Sequence, residues 1–126
     1  MIRGLFLHTA PNVPVFEVPL EWQGITTKQY FVLDTGFTGE LKITPETAHE
    51  LGLAPAVVQK IVMADDTAVE TPISEVHAEM EDTIRSATVI IAPGPHLAGI
   101  GLFTKFGYKA VVDCRYRTVE LHKAAQ

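Results

Sequence analysis

The sequence is poor in several features that mark common classes of protein. It has one cysteine in 126 residues, Cys114, so neither a disulfide within the chain nor a cysteine-based zinc site can form. Its formal net charge is -5 without a block of basic residues, which argues against nucleic acid as a partner because phosphate binding needs a basic patch. No apolar run is long enough to cross a bilayer, and the N-terminal apolar stretch is too short for a signal peptide. We therefore expect a cytoplasmic protein without a membrane partner.

Metal-binding and phosphate-binding motifs are also missing. None of the five histidines is paired at a spacing typical of metal ligands, and His-Glu-x-x-His does not occur. The glycines at 94, 99 and 101 do not fit a phosphate loop, because no Lys-Ser or Lys-Thr follows them. The sequence therefore predicts neither a metal site nor a cofactor.

What is present predicts one mostly β domain over residues 1–126. The length suits a single core, and 47% of the residues are apolar, which is too many for a disordered chain. Alternating or apolar segments predict strands at 4–8, 15–22, 28–34 and 40–43, two long strands between 57 and 80 around a turn at 64–67, a strand at 83–92 and a hairpin over 108–122. Two short helices are expected at 44–52, where Thr44 caps, Pro45 starts and Gly52 follows the helix, and at 101–107. Many short strands with two small helices indicate a barrel or a sandwich.

The segment "QYFVLDTGFTGELKI" places a carboxylate, Asp34, at the end of an apolar strand. A buried charge is costly unless a neighbour compensates it, although most Asp-x-Gly runs are ordinary turns. A catalytic aspartate that activates water needs a second group to act as the acid, and two carboxylates that share one proton meet this need. Because Asp-Thr-Gly occurs once, the second carboxylate would come from a second copy of the chain.

Two elements of the sequence together resemble the retroviral-type, or retropepsin-like, aspartic proteases, in particular small prokaryotic members. The first is "FVLDTGFTGELKI" followed by "TPETAHELGL", and the second is "PHLAGIGLFTKFGYKAVVD". The match runs from about Val15 to Leu121. It implies a closed β-barrel with one or two short helices that works as a homodimer on a polypeptide substrate. By the same resemblance, "MIRGLFLH" and "TVELHK" are the expected interface strands.

The resemblance also implies roles for individual residues. Asp34 would be the catalytic aspartate, one from each subunit, and Thr35 would form a grip between subunits beneath the two aspartates. Gly36 would line the substrate channel, while Thr38 and Gly99 would hold the loops of the core. The hairpin that corresponds to the flap over the substrate would have its tip at Ala64, Asp65, Asp66 and Thr67, and Phe37 would either narrow the cleft or pack against its own loop.

The chain departs from the family pattern at three places. Phe37 stands where the family has a small residue, no glycine occurs between Gly52 and Gly94 to form the flap tip, and Ala98 and Gly101 replace a larger aliphatic and a polar residue. Three hypotheses therefore remain open. The first is an aspartic endopeptidase with a dyad of two Asp34 side chains. The second is a weak or inactive dimer that binds peptides or acts as a scaffold, and the third is an unrelated β-barrel in which Asp34 is a turn residue.

Overall fold

A computed structural model describes residues 1–54, 57–62 and 64–124 of the chain. In this part the chain forms ten strands and two short helices. They are β1 (Ile2–Phe6), β2 (Pro14–Trp22), β3 (Ile25–Leu33), β4 (Leu41–Ile43), α1 (Pro45–Glu50), β5 (Val57–Val62), β6 (Ala68–Met80), β7 (Thr83–Ile91), β8 (Leu97–Ala98), α2 (Ile100–Phe106), β9 (Tyr108–Asp113) and β10 (Thr118–Lys123).

The β2–β3 hairpin shows how the alternating sequence creates the barrel wall. Phe16, Val18 and Leu20 point inward and are fully buried, as their spacing of two residues requires. The two-residue turn has Gln23 and Gly24 at φ 49° and φ 86°, the pair of positive values that matches the twist of the adjoining strands. Each of these inward side chains contributes roughly 1.5–3 kcal/mol through burial.

Six strands close into a ring in the order β2, β3, β8, β4, β7 and β6. The closing contact between β2 and β6 is short and consists of the pairs Leu20↔Ala78 and Glu21↔His77. Outside this ring, β5 extends β6 as a hairpin, while β1, β10 and β9 follow β2 as a further sheet. The core lies inside the ring and beneath the helices; its fully buried large side chains are Phe16, Phe31, Leu20, Leu41, Ile43, Leu51, Met80, Leu102, Leu121, Val15, Val18 and Val76.

Both helices lie where the sequence predicts them, α1 within 44–52 and α2 one residue earlier than 101–107. The hydroxyl of Thr44 accepts a hydrogen bond from Thr47 N at 3.2 Å, with Pro45 in the first turn of α1. Gly107 ends α2 in the left-handed region at φ 74°, where a residue with a side chain is disfavoured. None of the helices in the described ranges is long and apolar enough to cross a membrane.

Three strands differ from the sequence prediction, and one of them is β3, which begins at Ile25 rather than at residue 28. The first strand lies at 2–6 rather than 4–8, because its pairing partners are Val15 and Pro14 of β2 and the segment 119–121 of β10. The two-residue strand β8 has no counterpart in the prediction, since two residues are too few to show an alternating pattern. The predicted interface strands, β1 and β10, pair with each other within the chain.

Candidate active site

The site is built where the chain has to cross the end of a strand. Strand β8 lies between β3 and β4, parallel to β3 and antiparallel to β4. The segment that joins β3 to β4, which we call the Asp34 loop (residues 34–40), must therefore pass over the end of β8. The sheet order thus forces this loop against Gly99, the residue that follows β8.

Asp34 begins this loop directly after Leu33, the last residue of β3. Its N–H donates to the carbonyl of Ala98 at 3.0 Å, so the backbone of β3 and β8 fixes its position. Its carboxylate oxygen Oδ1 accepts a hydrogen bond from Gly36 N at 2.9 Å, and its carbonyl accepts one from Phe37 N at 3.2 Å. Asp34 is half-buried, whereas Thr35 and Gly36 are exposed. The carboxylate is therefore held by backbone on one side and open on the other.

Gly99 allows the loop to pass at very short range. A Cβ added there would lie 2.3 Å from the carbonyl oxygen of Gly39 and 2.4 Å from that of Phe37. Atoms in proteins do not approach so closely without a shift of the backbone. The φ of Gly99 is -108°, so its requirement for glycine is a matter of space and not of backbone conformation.

The first N–H groups of α2 fasten the same loop. Ile100 N donates to the carbonyl of Phe37 at 2.9 Å, and Gly101 N donates to that of Gly39 at 3.0 Å. Just before the helix, Gly99 N donates to the carbonyl of Glu40 at 3.0 Å. The first N–H groups of a helix have no partner within it, and here the Asp34 loop supplies their acceptors.

Phe37 packs against its own loop. Its ring carbons lie 2.5 Å and 2.7 Å from the Cβ that a residue at Gly39 would carry, and 2.7 Å from the one at Gly99. The half-buried ring therefore occupies the space that two glycines leave free. Thr38, the other residue for which the resemblance implies a role in this loop, is exposed.

Two charged residues, one in the loop and one on α2, were not identified from the sequence. The Glu40 carboxylate accepts hydrogen bonds from Thr88 N at 2.9 Å and from Lys105 Nζ at 2.8 Å. Lys105 lies on α2 and is 65 residues away in sequence, so no local pattern could have linked the two. Among the described residues, no group of three or more His, Cys, Asp or Glu side chains is placed to hold a metal ion.

The predicted flap tip forms a turn without glycine. Asp65 Oδ1 accepts a hydrogen bond from Thr67 N at 3.1 Å and another from the Thr67 hydroxyl, and these bonds hold the pKa of the Asp65 carboxyl below its usual value. Asp66 takes the left-handed conformation at φ 66°, which aspartate tolerates better than most residues. All four residues, Ala64 to Thr67, are exposed.

One cavity of the single chain lies away from Asp34. It has a volume of about 570 Å³ on the outer face of the barrel, and its lining comes from β2, β3, β6 and β7, with no residue of the Asp34 loop or of α2. It is lined by Pro19, Leu20, Glu21, Thr26, Thr27, Lys28, His77, Glu79 and Ile84. A single chain thus offers one carboxylate, Asp34, which is open on one side. By itself it lacks the acid partner that water activation needs.

Comparison with known proteins identifies the fold. No protein-family model matches the sequence, and no curated protein matches it. The chain is similar to the crystal structure of a retropepsin-like aspartic protease from Rickettsia conorii, with a TM-score of 0.68 and 14% identity over 95% of this chain and 88% of that one. A likeness at this identity establishes the fold and leaves the activity open. The predicted fold class is confirmed: the chain has the retropepsin-like fold, a mostly β closed barrel with two short helices.

Proposed function

We propose that the protein is an aspartic endopeptidase that works as a homodimer, with Asp34 from each copy forming the catalytic pair. The observation that carries this proposal is the construction of the Asp34 loop. Its backbone is fastened by Ala98, Gly99 and the start of α2, while the carboxylate of Asp34 is held on one side only. These bonds hold Asp34 in a fixed position, as a catalytic carboxylate requires. The likeness to a retropepsin-like aspartic protease supports the same reading.

The chemistry follows from two carboxylates in one site. Close like charges cannot both ionise, so the pair shares one proton. The ionised Asp34 takes a proton from a water molecule as that water attacks the peptide carbonyl. The protonated Asp34 of the other copy gives its proton to the carbonyl oxygen, so that a tetrahedral diol forms without a build-up of charge. The first Asp34 then gives the proton it took from water to the peptide nitrogen, the C–N bond breaks, and the second Asp34 recovers a proton from a diol hydroxyl, which restores the pair. This reaction needs neither a covalent intermediate nor a cofactor, and Gly36 N steadies the ionised form through Oδ1.

The second copy would pair along β9. Within the described part of the chain, β10 has β9 on one edge and β1 on the other, whereas β9 pairs with β10 alone. An unpaired edge is a template for another strand. Antiparallel pairing of two β9 strands centred on Val111 would place Lys109 of one copy opposite Asp113 of the other. Val111 is 41% exposed on this strand, and a second copy would cover it.

The substitution Asp34→Asn tests the proposal. It keeps the size of the side chain and removes the group that ionises, so we expect loss of cleavage of an unfolded polypeptide with the circular dichroism spectrum unchanged. Specific activity of the wild type should rise with protein concentration as dimers form, in parallel with the sedimentation coefficient. The matched control is Asp82→Asn, which changes an exposed aspartate at the turn between β6 and β7. Equal cleavage by the Asp34→Asn and Asp82→Asn variants would contradict the proposal.

A second candidate function is a dimer that binds peptides without cleaving them. It is favoured by the bulky Phe37 ring within the Asp34 loop and by a flap turn in which Asp65 accepts two hydrogen bonds from Thr67. An unfolded polypeptide that bound to the wild type and to the Asp34→Asn variant with equal affinity, without turnover by either, would establish this alternative.

A further inference from the structure

The side chain of Glu40 accepts a hydrogen bond from β7 at the point where the main-chain pairing of β4 with β7 ends. Strands β4 and β7 are parallel, and their first pair is Leu41↔Val89. One residue earlier the chain turns away, because the carbonyl of Glu40 accepts a hydrogen bond from Gly99 N at 3.0 Å. The carboxylate of Glu40 reaches back and accepts the hydrogen bond of Thr88 N at 2.9 Å. Glu40 therefore joins β7 through its side chain and the start of α2 through its main chain.

Lys105 holds the same carboxylate from α2. Its ammonium group lies 2.8 Å from Glu40 Oε1 and donates a second hydrogen bond to the carbonyl of Ser86 at 2.9 Å. The Glu40 side chain is 22% exposed and that of Lys105 is 32% exposed. An ion pair at this exposure adds little to overall stability. Its geometry is specific, however, since one carboxylate connects the Asp34 loop with both β7 and α2.

Gly101 leaves room for this arrangement. A Cβ at position 101 would lie 2.9 Å from the carbonyl oxygen of Gly39 and 3.1 Å from Cγ of Glu40. The Glu40 side chain therefore passes close to the first turn of α2, and a side chain at position 101 would press against it.

We propose that Glu40 is a positioning residue for Asp34, with Lys105 as its counter-ion. Glu40 fixes the end of the Asp34 loop, and the bonds from Ile100 and Gly101 can then hold the loop's carbonyls in register. This inference rests on the proposed function for its effect on catalysis. Its effect on the loop can be measured without any catalysis.

The experiment compares Glu40→Leu, Glu40→Gln and Lys105→Met with the wild type. Leucine removes both bonds, and glutamine keeps an oxygen that accepts from Thr88 N while losing the charge. Lys105→Met leaves Glu40 in place and serves as a milder variant if Glu40→Leu does not fold. Two quantities are measured: the hydrogen exchange of the Phe37, Ile100 and Gly101 amides, and kcat and KM on an unfolded polypeptide. The matched control is Met80→Ala, which shortens a buried side chain outside the Asp34 loop and its described hydrogen-bond partners.

We expect Glu40→Leu to lower kcat by about 10- to 100-fold, because a small displacement of a catalytic group is enough for such a loss, with KM changed by less than about twofold. The three amides should exchange faster in Glu40→Leu, less so in Lys105→Met, and near the wild-type rate in Glu40→Gln. Met80→Ala should lower global stability without these local changes. If the three amides exchanged no faster in Glu40→Leu than in the Met80→Ala control, the inference would be overturned. If the wild type cleaves nothing, the proposed function fails, while the exchange rates still decide the role of Glu40.

Discussion

A single aromatic residue explains the composition of the loop around it. The resemblance left open whether Phe37 narrows a cleft or packs against its own loop, and its ring lies against Gly39 and Gly99. The cost of a side chain at either glycine should therefore depend on Phe37, but to different degrees. At Gly39 the ring supplies all three of the nearest contacts, whereas at Gly99 two carbonyl oxygens lie closer than the ring.

This difference gives a prediction for double variants. Gly39→Ala should destabilise the protein by about 1–3 kcal/mol, as overpacking does, but by less than about 1 kcal/mol when Phe37→Ala is already present. Gly99→Ala should remain strongly destabilising in both backgrounds, because its clash is with the backbone. Urea unfolding of the single and double variants measures the coupling. Strict additivity of Gly39→Ala and Phe37→Ala would show that the ring does not occupy this space in solution.

The conformation of the flap turn could not be predicted from its individual residues. The sequence has no glycine between 52 and 94 to form the tip, and no pattern in it identifies the residue that takes the left-handed conformation. Asp66 takes it at φ 66°, and Asp65 fixes the turn through Thr67. Aspartate can do both because its short side chain bonds to nearby backbone.

At the scale of elements, the sequence predicted the features that depend on residues close together in the chain. Helix α1 follows from Thr44, Pro45 and Gly52, and the capping bond and the φ of 70° at Gly52 agree with that prediction. Strand β8 and the contact of Glu40 with Lys105 depend on segments far apart in the chain. No pattern within a short window carries that information.

Strand β9 gives a prediction about assembly. If two β9 strands pair around Val111, the substitution Val111→Lys places two ammonium groups opposite each other and should raise the dimer dissociation constant more than about 10-fold. Peptidase activity at a fixed low concentration should fall with the dimer fraction and recover at higher concentration. Sedimentation equilibrium measures the first effect and a titration of enzyme concentration the second.

Ile84→Lys is the matched control for this test, since Ile84 is 63% exposed on β7 and also receives a lysine. A Val111→Lys variant with the dimer affinity of the Ile84→Lys control would remove β9 from the interface. Asp34 would then remain the candidate catalytic residue, and the dimer interface would have to lie on another surface of the chain.

For the whole molecule, His96 links stability to pH. Its ring is half-buried against Phe31, with 5.2 Å between ring centroids, and its Nε2 lies 3.0 Å from the Thr47 hydroxyl. Burial lowers the pKa of His96, and the charge of Lys42 lowers it further, while a hydrogen bond to the Tyr30 backbone and the charge of Glu50 oppose the shift.

The sign of this linkage follows from proton counts. The unfolded chain protonates His96 near its usual pKa of about 6.5, before the folded chain does. The stability that neutral His96 contributes is therefore complete above about pH 6.5 and is lost as the pH falls toward the lowered folded pKa. We expect His96→Gln to reduce the loss of unfolding free energy between about pH 7 and about pH 5, measured by urea unfolding, whereas His8→Gln, at an exposed position, should leave it unchanged. If the free energy of unfolding fell equally with pH in the His96→Gln and His8→Gln variants, this role of His96 would be contradicted.

The position of β8 also has a consequence for the order of folding. Leu97 and Ala98 fill the gap between β3 and β4, and they are the last residues of the ring to leave a ribosome. Until they emerge, the hairpins made earlier can form, but β3 and β4 each keep an unpaired edge and Asp34 lacks its bond to Ala98. The barrel therefore closes late in synthesis, in the same event that fixes Asp34, so a nascent chain cannot assemble the Asp34 loop before the barrel that supports it.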